Sequence, residues 1–181
     1  MAKTLNENQQ KFLLELARQA IELYLTNGEK PNVTSEDKIL TEERGTFVSL
    51  KVSNQLRGCI GYPLPYESLY KTVIDVAIAA ATQDYRFLSL TKDDLKDTRI
   101  EISVLSLPEP VKDINEIEIG KHGIIITKGK KQGLLLPQVP VEQNWDLETF
   151  LKHGCLKAGL PENEWKKRAK IEIFSAQVFS E

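Results

Sequence analysis

From Val73 to Ala81 every residue except Asp75 is apolar or small, within a segment, Ser68 to Gln83, that contains neither proline nor glycine. A helix that is apolar on nearly all sides is buried on nearly all sides. Its alanines let it lie close to a sheet or a neighbouring helix, so this stretch is the expected centre of the core. Whatever else the chain builds has to cover it.

The cover is legible on both sides in the sequence. From Asn6 to Thr26, Leu13, Leu16, Ala17, Ala20 and Tyr24 recur at helical spacing with Glu15, Arg18, Gln19 and Glu22 between them, the pattern of an amphipathic surface helix. Asn27-Gly28 supplies a left-handed stop with Pro31 just beyond. The polar stretch from Glu29 to Arg44 has no clean period and reads as a long loop. Val48, Leu50 and Val52 then alternate with Phe47, Ser49 and Lys51, a half-buried strand. Ser53-Asn54-Gln55 reads as a hairpin loop into an antiparallel partner, Leu56-Arg57-Gly58-Cys59-Ile60-Gly61, which Pro63 and Pro65 end.

Beyond the central helix, Thr91-Lys92-Asp93-Asp94 reads as a capped helix start. Ile100, Ile102 and Val104 mark a third strand. Ile124-Ile125-Ile126 and Leu134-Leu135-Leu136 flank Gly129-Lys130-Lys131-Gln132-Gly133, the pattern of a hairpin with two buried runs and a basic glycine loop, closed by Pro137-Gln138-Val139-Pro140. Asp146 caps a helix whose Leu147, Phe150, Leu151, Gly154, Cys155 and Ala158 share a face, and a last strand carries Ile171 and Ile173 towards Phe179. Strands and helices are mixed rather than strictly alternating, so the expected class is α+β with a mainly antiparallel sheet and packed helices.

At 181 residues the chain suits one domain, or one with a small appended lobe. With 28% charged residues, a formal net charge of −2 and a pI near 5.8, it has no general basic field to hold a nucleic-acid backbone. No apolar run is long enough for a membrane span or a signal segment, and two cysteines fit a reducing compartment, so the expected location is the cytoplasm.

The sharpest candidate chemistry lies in Leu56–Gly61. Arg57 and Cys59 are separated by one residue and so share a strand face, while Leu56 and Ile60 are expected on the other. Gly58 and Gly61 leave backbone uncovered, which marks a bulge or a close approach. Cys59 is the candidate catalytic residue, since a neighbouring cation favours a thiolate. Buried structural cysteine is the competing reading, and the only histidines, His122 and His153, are distant in sequence. Arg57 has the forked donors that grip a carboxylate or phosphate, against a structural ion pair with Glu67, Asp84 or another acid. Asp84 and Arg86, at the end of the central helix, either line the same site or form a local salt bridge. No phosphate loop or metal-ligand spacing is present, and no cofactor is expected. Lys128, Lys130 and Lys131 read as a solvated hairpin tip.

These blocks together resemble the AMMECR domain family. Leu56-Arg57-Gly58-Cys59-Ile60-Gly61 is similar to its signature, and Gly45-Thr46-Phe47-Val48-Ser49-Leu50 precedes it as in the family. Asp84-Tyr85-Arg86-Phe87 resembles the usual Asp-Pro-Arg-Phe, with Tyr85 in place of proline. Glu101-Ile102-Ser103-Val104-Leu105, Leu135-Leu136-Pro137-Gln138-Val139 and Lys157-Ala158-Gly159-Leu160 complete the series, so the whole chain, residues 1–181, is expected to be a single AMMECR-like domain. The resemblance implies an α+β fold of a larger and a smaller lobe with a cleft between them, lined by the signature. The expected substrate- or partner-binding residues are Arg57, Gly58, Gly61, Asp84, Arg86 and Gln138. The resemblance implies no particular reaction. An enzyme or enzyme component acting on a small-molecule substrate is the first expectation. The alternatives are a non-catalytic module for a Memo-like or radical S-adenosylmethionine partner, and, more weakly, an RNA-associated protein. The chain lacks the Cys-x-x-x-Cys-x-x-Cys triplet of the radical enzymes and so would be their companion.

Overall fold

The computed structural model describes residues 4–181. The chain divides into two compact units, Met1–Leu105 with Gln177–Glu181, and Ser106–Ala176. The fold is α+β, as expected.

In the first unit, helix α1 (Glu7–Asn27) starts at a reciprocal capping box between Asn6 and Gln9 and stops at Gly28, whose φ of 77° is left-handed. Strands β1 (Thr46–Val52) and β2 (Gln55–Tyr62) form an antiparallel hairpin, and β1 also pairs antiparallel with β3 (Thr98–Leu105). Helix α2 (Leu69–Thr82) lies between that sheet and α1. Eleven of its residues are buried, which matches its all-round apolarity. Val48, Leu50, Ile100 and Ile102, all fully buried, are the sheet's contribution to the same core, and Leu13, Ala17 and Ile21 are that of α1. Fully burying side chains of this size stabilises by about 1.5–3 kcal/mol each. The strand order in this unit is β2-β1-β3, which leaves β2 at an edge.

The hairpin differs from the expected three-residue loop. Ser53 and Asn54 alone form the turn, both with positive φ (49° and 63°), and Gln55 already pairs with Val52. The missing residue reappears as a bulge. Lys51 lies opposite Leu56 and Leu50 opposite Gly58, so Arg57 is the extra residue with no partner on β1. Without the bulge, continuing the register from Val52 and Gln55 would set Arg57 opposite the buried Leu50 and turn it towards the core. A guanidinium there would be desolvated at great cost. Leu56 is corrected by the same fact: it pairs with Lys51 and is 40% exposed rather than turned to the opposite, buried face.

In the second unit, β5 (His122–Lys128) pairs antiparallel with β6 (Lys131–Leu135) and with the first part of β7 (Lys170–Ser180), whose end from Gln177 belongs to the first unit, and the two-residue β4 (Glu109–Pro110) adds to β7. The turn between β5 and β6 is only Gly129-Lys130. Leu134, Leu135 and Leu136 are half-buried, not buried as the apolar run suggested. A short helix α3 (Gln138–Glu142) follows Pro137 where a simple stop was expected, and α4 (Leu147–Lys157) is capped by Asp146. Phe150, Leu151 and Cys155 pack with Ile124 and Ile126 in this unit's own core. Among the described residues no helix is long and apolar enough to cross a membrane.

Candidate functional site

The first unit brings Arg57, Gly58, Cys59, Asp84 and Arg86 together, because the end of α2 is pressed against the edge strand β2. A Cβ on Gly58 would land on the carbonyl oxygen of Ala80, so glycine is what lets the helix backbone reach the strand. The chain leaving α2 then runs along the open edge of β2.

At that edge Asp84 and Arg86 behave like a missing strand. The register places Cys59 opposite Ser49 between the neighbouring pairs Leu50–Gly58 and Val48–Ile60. The backbone N–H of Cys59 donates to Asp84 Oδ2 at 2.8 Å, and its carbonyl accepts from Arg86 Nη2 at 3.3 Å. Asp84 holds Arg86 by a fork, Nε to Oδ1 at 2.9 Å and Nη2 to Oδ2 at 2.7 Å, and also accepts the Arg86 N–H at 3.2 Å. Both main-chain groups of Cys59 are therefore satisfied by one ion pair. Asp84 is buried, with its side chain 3% exposed, whereas that of Arg86 is 47% exposed. The guanidinium hydrogen bonds, aided by the Cys59 and Arg86 amides, outweigh burial and hold the Asp84 carboxyl far below the usual carboxylate range. The local salt bridge expected at Asp84 and Arg86 is present, and it also fixes the signature strand. Tyr85, 96% exposed, takes no part beyond the turn, which closes by the Phe87 N–H donating to the Asp84 carbonyl at 3.0 Å.

On the outer face of the hairpin, the Ser49 hydroxyl donates to Cys59 Sγ at 3.2 Å. Cys59 is partly exposed and unpaired as a thiol. Next to it the ring of Phe47 occupies the space a side chain at Gly61 would need. Lys51, two residues along β1 from Ser49, pairs with Glu101 at 2.8 Å.

Arg57 is different. Neither acid named as its structural partner is available, since Glu67 pairs with Lys71 at 2.9 Å and Asp84 with Arg86 at 2.7 Å. Among the described residues Arg57 forms no ion pair. Its Nη1 donates to the Leu88 carbonyl at 2.5 Å, which anchors one edge of the guanidinium and leaves the other donors unassigned. An anchored, charged fork with spare donors on a partly exposed bulge suits a planar anion or amide. Ser49, Phe47 and the Leu88 carbonyl escaped the sequence reading. Ser49 was within reach of it, because the expected three-residue loop already sets Ser49 opposite Cys59.

In the second unit Gln138 is the first residue of α3 and is exposed. The histidines weighed as bases both have partners in that unit. His122 Nδ1 accepts from the Glu118 N–H at 3.1 Å, and His153 stacks on Trp145 with ring centroids 3.9 Å apart. The basic hairpin is likewise engaged: Lys128 pairs with Glu164 at 2.7 Å and Lys131 donates to the Gly159 carbonyl at 2.8 Å.

The chain is similar to known proteins over most of its length. The family model described as AMMECR1 matches residues 14–179. A protein of Methanopyrus kandleri is 44% identical across 100% of this chain and 92% of its own length. One of Methanocaldococcus jannaschii is 42% identical across 94% and 89%. Among solved structures, an uncharacterized protein from Pyrococcus horikoshii is similar with a TM-score of 0.83 and 39% identity, covering 98% of this chain and 93% of that one.

Proposed function

The chain belongs to the AMMECR1 family, and from that premise and the geometry of β2 we propose that it is an enzyme or enzyme component that takes a small anionic or amide-bearing substrate at Arg57-Gly58-Cys59. The observation that carries this reading is the state of Arg57. The fold builds a bulge to hold it out of the core and anchors it on one carbonyl, and no acid forms an ion pair with it, although Asp94 lies near enough to feel its charge. A guanidinium retained only for stability would be expected to sit against a carboxylate, as Arg86 does. In this reading Arg57 orients the substrate, and Gly58 and Gly61 keep the strand backbone approachable. Cys59, held in place by Asp84 and Arg86, presents its sulfur beside the bound group.

The alkylation rate of Cys59 at neutral pH tests the thiol's part. A nucleophile is expected to react faster than the thiol of a short unfolded peptide, and Cys59→Ser is expected to abolish pathway activity while leaving the fold intact. An ordinary rate together with full activity of Cys59→Ser removes Cys59 from the chemistry and leaves Arg57 as the binding residue.

A second reading has its own support. Leu56 and Leu88, beside Arg57 in sequence and in contact respectively, are 40% and 84% exposed, and Tyr85 is 96% exposed. An arginine among exposed apolar side chains is the composition of a binding hot spot. In this reading the same surface docks a Memo-like or radical S-adenosylmethionine protein. Co-purification separates the two: Arg57→Ala is expected to lose the complex if the surface docks a partner, and unchanged association excludes docking there.

A further inference from the structure

Asp75 is the only acid on α2 and interrupts its apolar run, yet neither the core nor the Arg57 surface uses it. It pairs with Lys30, from the loop after α1, at 2.7 Å, with side-chain exposures of 31% and 57%. This pair forms a shared wall between two cavities of about 280 Å³ each. One continues past a second ion pair, Lys71 with Glu67. The other has Ile78 as an apolar surface and Tyr24, Tyr62 and Gln83 as polar neighbours. Tyr62 is the last residue of β2, so this second cavity opens at the far end of the signature strand.

From this arrangement we infer that the cavity walled by Lys30, Asp75, Tyr24 and Tyr62 binds a small zwitterion of the α-amino-acid class. The charge balance selects the class. A simple anion that engages Lys30 strips Asp75 of its counter-charge, and a simple cation does the reverse, so either leaves one partly desolvated charge unpaired. A zwitterion replaces both halves of the pair at once, its carboxylate towards Lys30 and the phenol hydroxyls, its ammonium towards Asp75 and the Gln83 side chain. Ile78 offers apolar contact to a side chain. The volume sets the size: at about 280 Å³ it lies just below the usual range for ligand pockets, roughly 300–1,000 Å³, and suits a single amino acid rather than a nucleotide. The bond to Asp75, with the two phenols nearby, raises the Lys30 pKa above its ordinary value, so the unliganded site carries the ammonium that an incoming carboxylate meets. This site is separate from the Arg57 surface and stands or falls without it.

The test is calorimetric titration of the full chain with the twenty proteinogenic L-amino acids, up to about 10 mM each. For any binder, the amine lacking its carboxylate and the acid lacking its ammonium are then titrated. At least one amino acid is expected to bind saturably, with both half-charged analogues weaker by about tenfold or more. Asp75→Asn and Lys30→Met, each checked for retained fold by circular dichroism, are expected to weaken it by a similar factor. Lys30 is exposed enough that its variant serves alone if Asp75→Asn does not fold. The inference is overturned if no amino acid binds, if either half-charged analogue binds as tightly, or if a folded variant binds as tightly as the parent chain.

Discussion

Arg86→Ala is expected to destabilise the protein by about 2–4 kcal/mol at pH 7. Removing one partner of a buried ion pair costs about 3–5 kcal/mol, and the half-exposed guanidinium of Arg86 lowers that range, because water enters where it stood. What remains is a carboxylate, 3% exposed in its side chain, that keeps the amide hydrogen bonds of Cys59 and residue 86 but has lost its charge partner. The cost depends on pH with a definite sign. In the parent chain the folded-state pKa of Asp84 is depressed below its unfolded value. Its contribution is therefore present above about pH 4 and is lost as pH falls through the acid range below it. In the variant the largest lowering influence, the guanidinium, is gone, so the folded-state pKa moves up from its parent position. The stability gap between parent and variant should be widest near neutrality and narrow as pH falls through the acid range. Urea unfolding of both chains at a series of pH values measures it. Arg86→Lys should recover part of the loss, since it restores charge without the fork. A gap that stays constant across that range contradicts the assignment.

Gly58→Ala is the second large effect, expected to cost about 2–3 kcal/mol, and Gly58→Val more. A Cβ at this position meets a main-chain carbonyl of α2, not the yielding tip of a side chain. Either the helix moves off the strand or the strand bends away. In both cases the Asp84 clasp on Cys59 is pulled out of register, so Gly58→Ala should also raise the hydrogen-exchange rate of the Cys59 amide. Elsewhere in a strand interior the same substitution would be neutral or mildly favourable, because glycine pays more backbone entropy. A stability unchanged from the parent chain would show that the close approach of α2 to β2 is not required.

Both effects hang on features that the sequence displays unevenly. The burial of α2, the amphipathic stripe of α1 and the cap at Thr91, where Asp94 and Thr91 exchange hydrogen bonds, were legible because each is written in residues close together in the chain. The α+β class followed from the same local patterns. The bulge at Arg57 was not legible, since a two-residue turn plus a bulge and a three-residue loop set Ser49 opposite Cys59 alike. What separates them is the turn, where Ser53 and Asn54 both take positive φ and Gln55 already pairs with Val52. Arg57 and Cys59 stood out by residue type, but the anchor of Arg57 is a loop carbonyl at Leu88, and a main-chain oxygen carries no signature in a sequence. Asp84 and Arg86 read equally well as a helix-end salt bridge. Their second role needs β2 to be an edge strand whose Cys59 amide and carbonyl face outward. In the second unit, the leucine run suggested more burial than it has, and only contact with neighbours decides how deeply an apolar run is covered.

In the proposed reading Arg57 is held ready for a ligand and not for the fold. Nuclear magnetic resonance titration of the ¹⁵N-labelled chain with inorganic phosphate, acetate and N-acetylglycinamide tests it most directly, read at the amides of Arg57, Gly58, Cys59 and Gly61 and at the Arg57 Nε–H. Saturable shifts confined to these groups are expected with at least one of the three probes. They should be lost in Arg57→Ala, whose stability should lie within about 1 kcal/mol of the parent because no ion pair is broken. Shifts that are absent with all three, or that persist unchanged in Arg57→Ala, would contradict this reading.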